Sequence, residues 1–486
     1  MLAEAGVTQF FLHNRLMHIV GIGAIIALLA AFFWLRLDID QRVSNPDEWI
    51  PVSVSEGMSK RGDLDPDWFL AEMKEAPYFR YHQYNFYSYN LASHLVLKAT
   101  QWTGLTPIQR LRLTNLLYQV IAIGAAMLAA RWMGFAPFSI LFIGAALIFS
   151  PALVHDAQMA RPESFLYMLL GLALLCLARP TSVALFLAGL LIGVGASTKI
   201  SFVLDGLVFL PLLFAPLRTA VTRASLLTLG TLAGFAASAP YALIHFDAFM
   251  YGVAILKEQY AGVHLPHSHT PLRTLGVIDW VAGFLLIVYG ALFPLALLIF
   301  PAMYRRASTI LWGVWLFIAV TSLYFGFQQV FFERNFGPAV IAAVVITGAI
   351  LSTSRSHTAQ AVVLATVLVP MIYWSAQIAL SARENDLRRG AFIAQHGLTV
   401  NAWLWSQQGS IAVPACHNVV AVQSYRDDRT AQIIEAIEHS GYERVAQYRS
   451  RFEALPASTL QTYMDTGALF FKCKPQPAVL LVPEFQ

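Results

Sequence analysis

Eleven apolar runs spread over the first 380 residues constrain this chain more than any motif in it. They fall at 19–37, 113–133, 137–153, 164–178, 182–198, 200–217, 224–243, 277–300, 309–327, 337–353 and 360–380. Crossing a hydrocarbon core of about 30 Å takes roughly 20 helical residues, and lipid offers the backbone no other hydrogen-bond partner. The chain therefore reads as an all-α polytopic membrane protein of about eleven transmembrane helices. Composition agrees: 57% of residues are hydrophobic, 12% are charged, and mean hydropathy is +0.59. The net charge of +4 is spent on orientation in such a chain and does not argue for nucleic acid. The three cysteines form no CxxC or Cys/His array, which argues against a zinc site.

No small-residue cleavage site follows the first run, so it reads as an uncleaved signal anchor with a cytoplasmic N-terminus. Positive residues then sort onto the inner side in short loops: Arg131, Arg179, Arg218, Arg223, Arg305 with Arg306, and Arg355. The outer side of the inner membrane receives 38–112, 154–163, the turn at Lys199, 245–275, 328–336 and the tail from 381. In the short outer loops, Arg161, Lys199 and Arg334 break the rule. A bound anion would account for them; so would snorkelling to headgroups or pairing with Glu163 or Glu333.

The same face carries Asn45-Pro46-Asp47-Glu48. Two carboxylates at the edge of a low-dielectric wall suit acid–base chemistry on a lipid-borne group; acids in the first turn of a short helix are the plainer reading. The first outer loop, 38–112, continues with a charged half from Ser59 to Glu75. An aromatic run follows: Tyr78, Phe79, Tyr81, His82, Tyr84, Phe86, Tyr87 and Tyr89. These side chains suit the membrane interface and equally suit sugar rings, and short helices lying on the membrane are expected here.

His155-Asp156 is a further acid–base or metal-binding pair, or a cap. Pro162 fits the first turn of the next helix and places Glu163 at its positive end. Gly193 to Lys199 lacks both the spacing and the preceding strand of a phosphate loop. It reads as a small-residue turn that lets two helices pack closely and exposes Lys199. Asp205 is costly inside a span unless paired. His264, His267 and His269 lack helical i, i+4 spacing and an acidic companion, so their loop reads as polar and flexible. The tail, 381–486, reads as a small extracytoplasmic α/β unit. It has strand-like stretches at 411–422, 442–449 and 469–473, a helix over 427–441, and Cys416 and Cys473 available to pair in an oxidising compartment.

Three motifs in order give the chain a family resemblance: Asp47-Glu48, Ala160-Arg161-Pro162-Glu163, and Glu333-Arg334-Asn335-Phe336-Gly337-Pro338. Over residues 1–380 it resembles the GT-C membrane glycosyltransferases that use polyprenyl-phosphate sugars, in the branch of protein O-mannosyltransferases and lipid A aminoarabinose transferases. It departs from that branch at Tyr81-His82-Gln83-Tyr84, where a Tyr-Pro-Pro-like turn is common, and at Asn335, where Tyr is frequent. The resemblance implies an inverting sugar transferase with catalytic Asp47 and Glu48. Substrate-binding residues would be Asp156, Arg161, Glu163, Lys199, Arg334, Tyr81, His82 and Tyr84. Its partners would be a polyprenyl-phosphate sugar donor, a glycan, lipid or protein acceptor, and membrane lipids. No cofactor is required, and a divalent cation is allowed. A non-catalytic scaffold or a transporter of lipid-linked substrates is the rival; a transporter would want acids at mid-membrane and an internal repeat.

Overall fold

The computed structural model describes residues 23–37, 46–66, 86–261, 278–303, 308–330, 332–398, 400–404, 419–423, 434–435, 437–439, 441–449 and 467–473. Tyr81, His82, Tyr84, the histidines 264–269 and Cys416 lie outside the described residues.

Each expected apolar run is helical over most of its described residues. Among the described residues, five helices are long and apolar enough to cross a membrane, up to seven if each of two bent pairs is one span, and four further apolar helices are shorter. The bends have local causes. Pro137 opens α5 (Pro137–Ile148) and Pro151 opens α6 (Pro151–Ala157), with a 52° turn between them, because proline ends one helix and is tolerated at the start of the next. A 105° bend follows α12 (Ile278–Tyr289). There Gly290 takes φ +56°, and a Cβ at that position would collide with the Thr366 carbonyl, so only glycine fits. The run after Lys199 is a 3₁₀ helix, Ile200–Leu213. At about 2.0 Å per residue its 14 residues reach about 28 Å, close to a full hydrocarbon core despite the short sequence.

The packing has an axis and a rim. In the segment ending in α16 (Gly337–Thr353), 83% of the apolar stretch is buried, against 11% in α9 (Leu217–Ser238). α9 nonetheless lies backbone to backbone on α8 (Ser182–Thr198). Gly189 and Gly193 face Leu227 and Thr231 of α9, and Gly230 and Gly234 face Phe186 and Leu190 of α8. Small residues drive association where lipid is as apolar as a side chain. The glycines of 193–199 therefore end a helix; they do not form the expected turn.

The end of α1 (Gly23–Arg36) is stitched to the α5–α6 bend. Arg36 donates to Gln119 Oε1 at 2.9 Å and to the Ile148 carbonyl at 2.9 Å, while Gln158 donates to the Leu35 carbonyl at 2.9 Å. These bonds satisfy carbonyls that the broken helix leaves open. The last helix, α17 (His357–Gln395), continues past the apolar run towards a four-stranded sheet. Its strands, β1 (Val400–Leu404), β2 (Val419–Gln423), β3 (Tyr442–Arg449) and β4 (Gly467–Cys473), stand in the order β1-β2-β4-β3. β1 and β2 pair parallel, and the other two pairings are antiparallel.

Candidate active site

Four segment junctions meet at one end of the bundle. Asp47 and Glu48 stand in the first turn of α2 (Pro46–Arg61), and 158–162 joins α6 to α7 (Glu163–Ala178). Lys199 joins α8 to the 3₁₀ helix, and Glu333–Phe336 is a 3₁₀ turn leading into α16. Helix ends carry unsatisfied backbone groups and accept charged side chains at little cost.

Glu48 is fully buried. Both its oxygens take the Arg112 guanidinium of α4 (Pro107–Trp132) at 2.8 Å each, and Oε1 also accepts the Ala160 N–H at 2.6 Å. This fork-to-fork pair pins α2, α4 and the 158–162 junction together. Asn115 supports the same junction by donating to the Arg161 carbonyl at 3.0 Å. The resemblance implies a catalytic Glu48; in the structure its oxygens are taken up by protein donors and its side chain is closed to solvent.

Asp47, its neighbour, has a side chain 36% exposed, with Oδ2 at 3.3 Å from Arg334 Nη1 and 3.8 Å from Arg161 Nη1. Glu163 gathers three cations: Arg334 at 3.6 Å, Arg161 at 3.8 Å and Lys199 at 3.9 Å. Asp156 holds Arg161 at 3.3 Å and His155 at 3.0 Å, and accepts the Tyr167 hydroxyl at 2.5 Å. Tyr167 lies one helical turn after Glu163 on the same face. Gly337 must lack a Cβ because one would strike the Tyr167 hydroxyl. Burial alone would lower the Arg161 guanidinium, but the surrounding Glu163, Asp156, Asp47 and Glu48 carboxylates outweigh it and raise it. That arginine is permanently charged.

Lys199 differs from its expectation. Its side chain is only 16% exposed, drawn inward by Glu163 and by a hydrogen bond to the Asn335 Oδ1. Asn335 in turn donates to the Tyr260 hydroxyl of α11 (Phe246–Ala261) at 3.1 Å. Burial pulls the ammonium down to about 8, with Arg334 and Arg161 adding to the depression and Glu163 opposing it. Glu163, Lys199, Arg334 and Asn335 line a half-open pocket walled by Leu166, Phe202, Leu204, Phe325 and Pro338.

Of the sequence-predicted residues, Asp47, Glu48, Asp156, Arg161, Glu163, Lys199 and Arg334 all fall within this cluster. Arg112, Asn115, Tyr167 and Tyr260 belong to it and carry no motif. Arg112 is the one with a readable signal, a charge in the opening turns of an apolar span. Among the described residues, no group of three His, Cys, Asp or Glu side chains is placed to hold a metal ion.

No protein-family model matches the sequence, and no curated protein does either. Solved structures do. ArnT from Cupriavidus metallidurans in the apo state superposes with TM-score 0.53 at 13% identity, over 94% of this chain and 100% of that one. The same protein bound to undecaprenyl phosphate gives 0.52 at 13% identity, over 93% and 99%. The chain has a GT-C fold. The ArnT coverage exceeds the 380 residues over which the motifs carry the resemblance.

Proposed function

We propose that this GT-C chain is an inverting glycosyltransferase that moves a sugar from a polyprenyl-phosphate donor to an acceptor hydroxyl at the outer membrane face. One observation carries the reading. In a cluster of otherwise enclosed acids, Asp47 alone keeps a partly open carboxylate, and it sits beside Arg334, which lines a pocket that also presents Lys199. The acceptor O–H gives its proton to Asp47 while its oxygen attacks the anomeric carbon; the bond from that carbon to the phosphate oxygen breaks, and polyprenyl phosphate leaves. Lys199 and Arg334 take up the charge that grows on the phosphate. Single displacement inverts the anomeric centre. The ArnT structure with undecaprenyl phosphate supports a phosphate-bearing polyprenol as the lipid.

A divalent cation there would have to compete with guanidinium groups for Asp47 and Glu163. The test is turnover in proteoliposomes with a panel of polyprenyl-phosphate sugars, following release of free polyprenyl phosphate. Asp47→Asn is expected to cost about 10²–10⁴ in rate with the fold intact. A folded Asp47→Asn protein with full turnover overturns the assignment.

A further inference from the structure

The pocket behind Lys199 and Arg334 does not end in hydrocarbon. Asp205 and Thr321 both line it, both are buried to 3% exposure, and Asp205 Oδ2 and Thr321 Oγ1 have no hydrogen-bond partner among the described residues. Asp205 lies six residues beyond Lys199 on the 3₁₀ helix, about 12 Å along its axis. Two unsatisfied polar groups in an apolar wall are expensive, and an acid in such a wall more so. An isoprene unit seated there would leave both unsatisfied. A polar ligand group would relieve both.

We infer that Asp205 and Thr321 form a specificity subsite that binds a hydroxyl of the donor sugar, on the side of the ring away from the phosphate. The inference rests on the donor-binding reading of Lys199 and Arg334. A hydroxyl is favoured over an amine by donor and acceptor count. Thr321 both gives and takes a hydrogen bond and so does a sugar hydroxyl, whereas an ammonium only gives. The pocket mouth already supplies positive charge through Lys199 and Arg334, so the inner end needs no second cation from the ligand.

The experiment measures binding of undecaprenyl phosphate, of a panel of undecaprenyl-phosphate hexoses and pentoses, and of their single-deoxy and amino-for-hydroxyl analogues, to the full chain in nanodiscs. The wild type is expected to hold at least one sugar-bearing lipid about tenfold tighter than the bare lipid, and to lose that gain when one particular hydroxyl is removed. Asp205→Ala and Thr321→Val should each erase the gain while leaving bare undecaprenyl phosphate within about twofold. Thr321→Val keeps the side chain's shape, so the question stands even if Asp205→Ala does not fold. The inference is overturned if the gain survives in the folded variants, if no sugar in the panel adds affinity, if an amine analogue binds best, or if the variants lose the bare lipid. Failure of the wild type to bind bare undecaprenyl phosphate would instead sink the donor reading itself, and the subsite with it.

Discussion

Asp47 and Glu48 are neighbours in one helical turn, and the site divides between them. On the Glu48 side a carboxylate and the Arg112 guanidinium face each other in full burial, with the Ala160 N–H completing the set. On the Asp47 side the same chemistry is looser: 3.3 Å and 3.8 Å to two guanidiniums, with the carboxylate partly open. Burial without exposure makes a clamp, and burial with one open edge makes a place where a proton can be exchanged. The sharpest way to break this contrast is Arg112→Ala. Removing one partner of a buried pair leaves an uncompensated charge and costs about 3–5 kcal/mol, enough to abolish folded protein or lower its melting temperature steeply. Asp47→Asn, by contrast, should leave melting unchanged and remove turnover. Equal melting for Arg112→Ala and wild type would show that the Glu48 side is no clamp.

A smaller effect is expected one layer behind the pair. Gly337 approaches the Tyr167 hydroxyl so closely that a methyl group must displace the ring, and Tyr167 is what holds Asp156 Oδ2. Gly337→Ala should cost about 1–3 kcal/mol in stability, as overpacking does, and also lower turnover by loosening Asp156 from Arg161. The double variant Gly337→Ala with Tyr167→Phe should recover none of that turnover, because the missing hydroxyl bond is what matters. Stability should not fall further in the double variant. Full turnover in Gly337→Ala would place Asp156 on the inert side of the comparison.

The open side was easier to read from sequence than the closed side. Arg161, Lys199 and Arg334 stand out because they fall in short loops that the positive-inside rule assigns to the outer side, where it expects few cations, and Asp47 stands out as an acid beside an apolar run. The helices were legible for the same reason, since lipid imposes length and apolarity on each. Glu48 looked like a twin of Asp47 because its partner, Arg112, is 64 residues away and resembles an ordinary interfacial arginine. Lys199 looked exposed because nothing local predicts that Asn335, in a turn 136 residues further on, would draw it inward. The 3₁₀ winding of Ile200–Leu213 was invisible too, as the side-chain pattern of an all-apolar stretch carries no period.

The finest discrimination between the two sides comes from pH. Lys199 is charged below about 8 and neutral above it, because burial, aided by Arg334 and Arg161, lowers it against the pull of Glu163. If its charge steadies the departing phosphate, kcat/KM, which reports the free enzyme, should fall as pH rises through about 8. The loss should be about tenfold per pH unit beyond, and Lys199→Arg should abolish the fall, since arginine does not titrate there. Stability carries the opposite sign. The unfolded lysine, with its ordinary value of 10.5, binds more protons than the folded one between about 8 and 10.5, so this group makes the fold more stable as pH rises through that window. Turnover that declines from pH 7.5 to 9 while the melting temperature holds or climbs would locate the loss at Lys199 on the open side. Turnover and melting temperature that decline together would instead mean that the clamp side is opening.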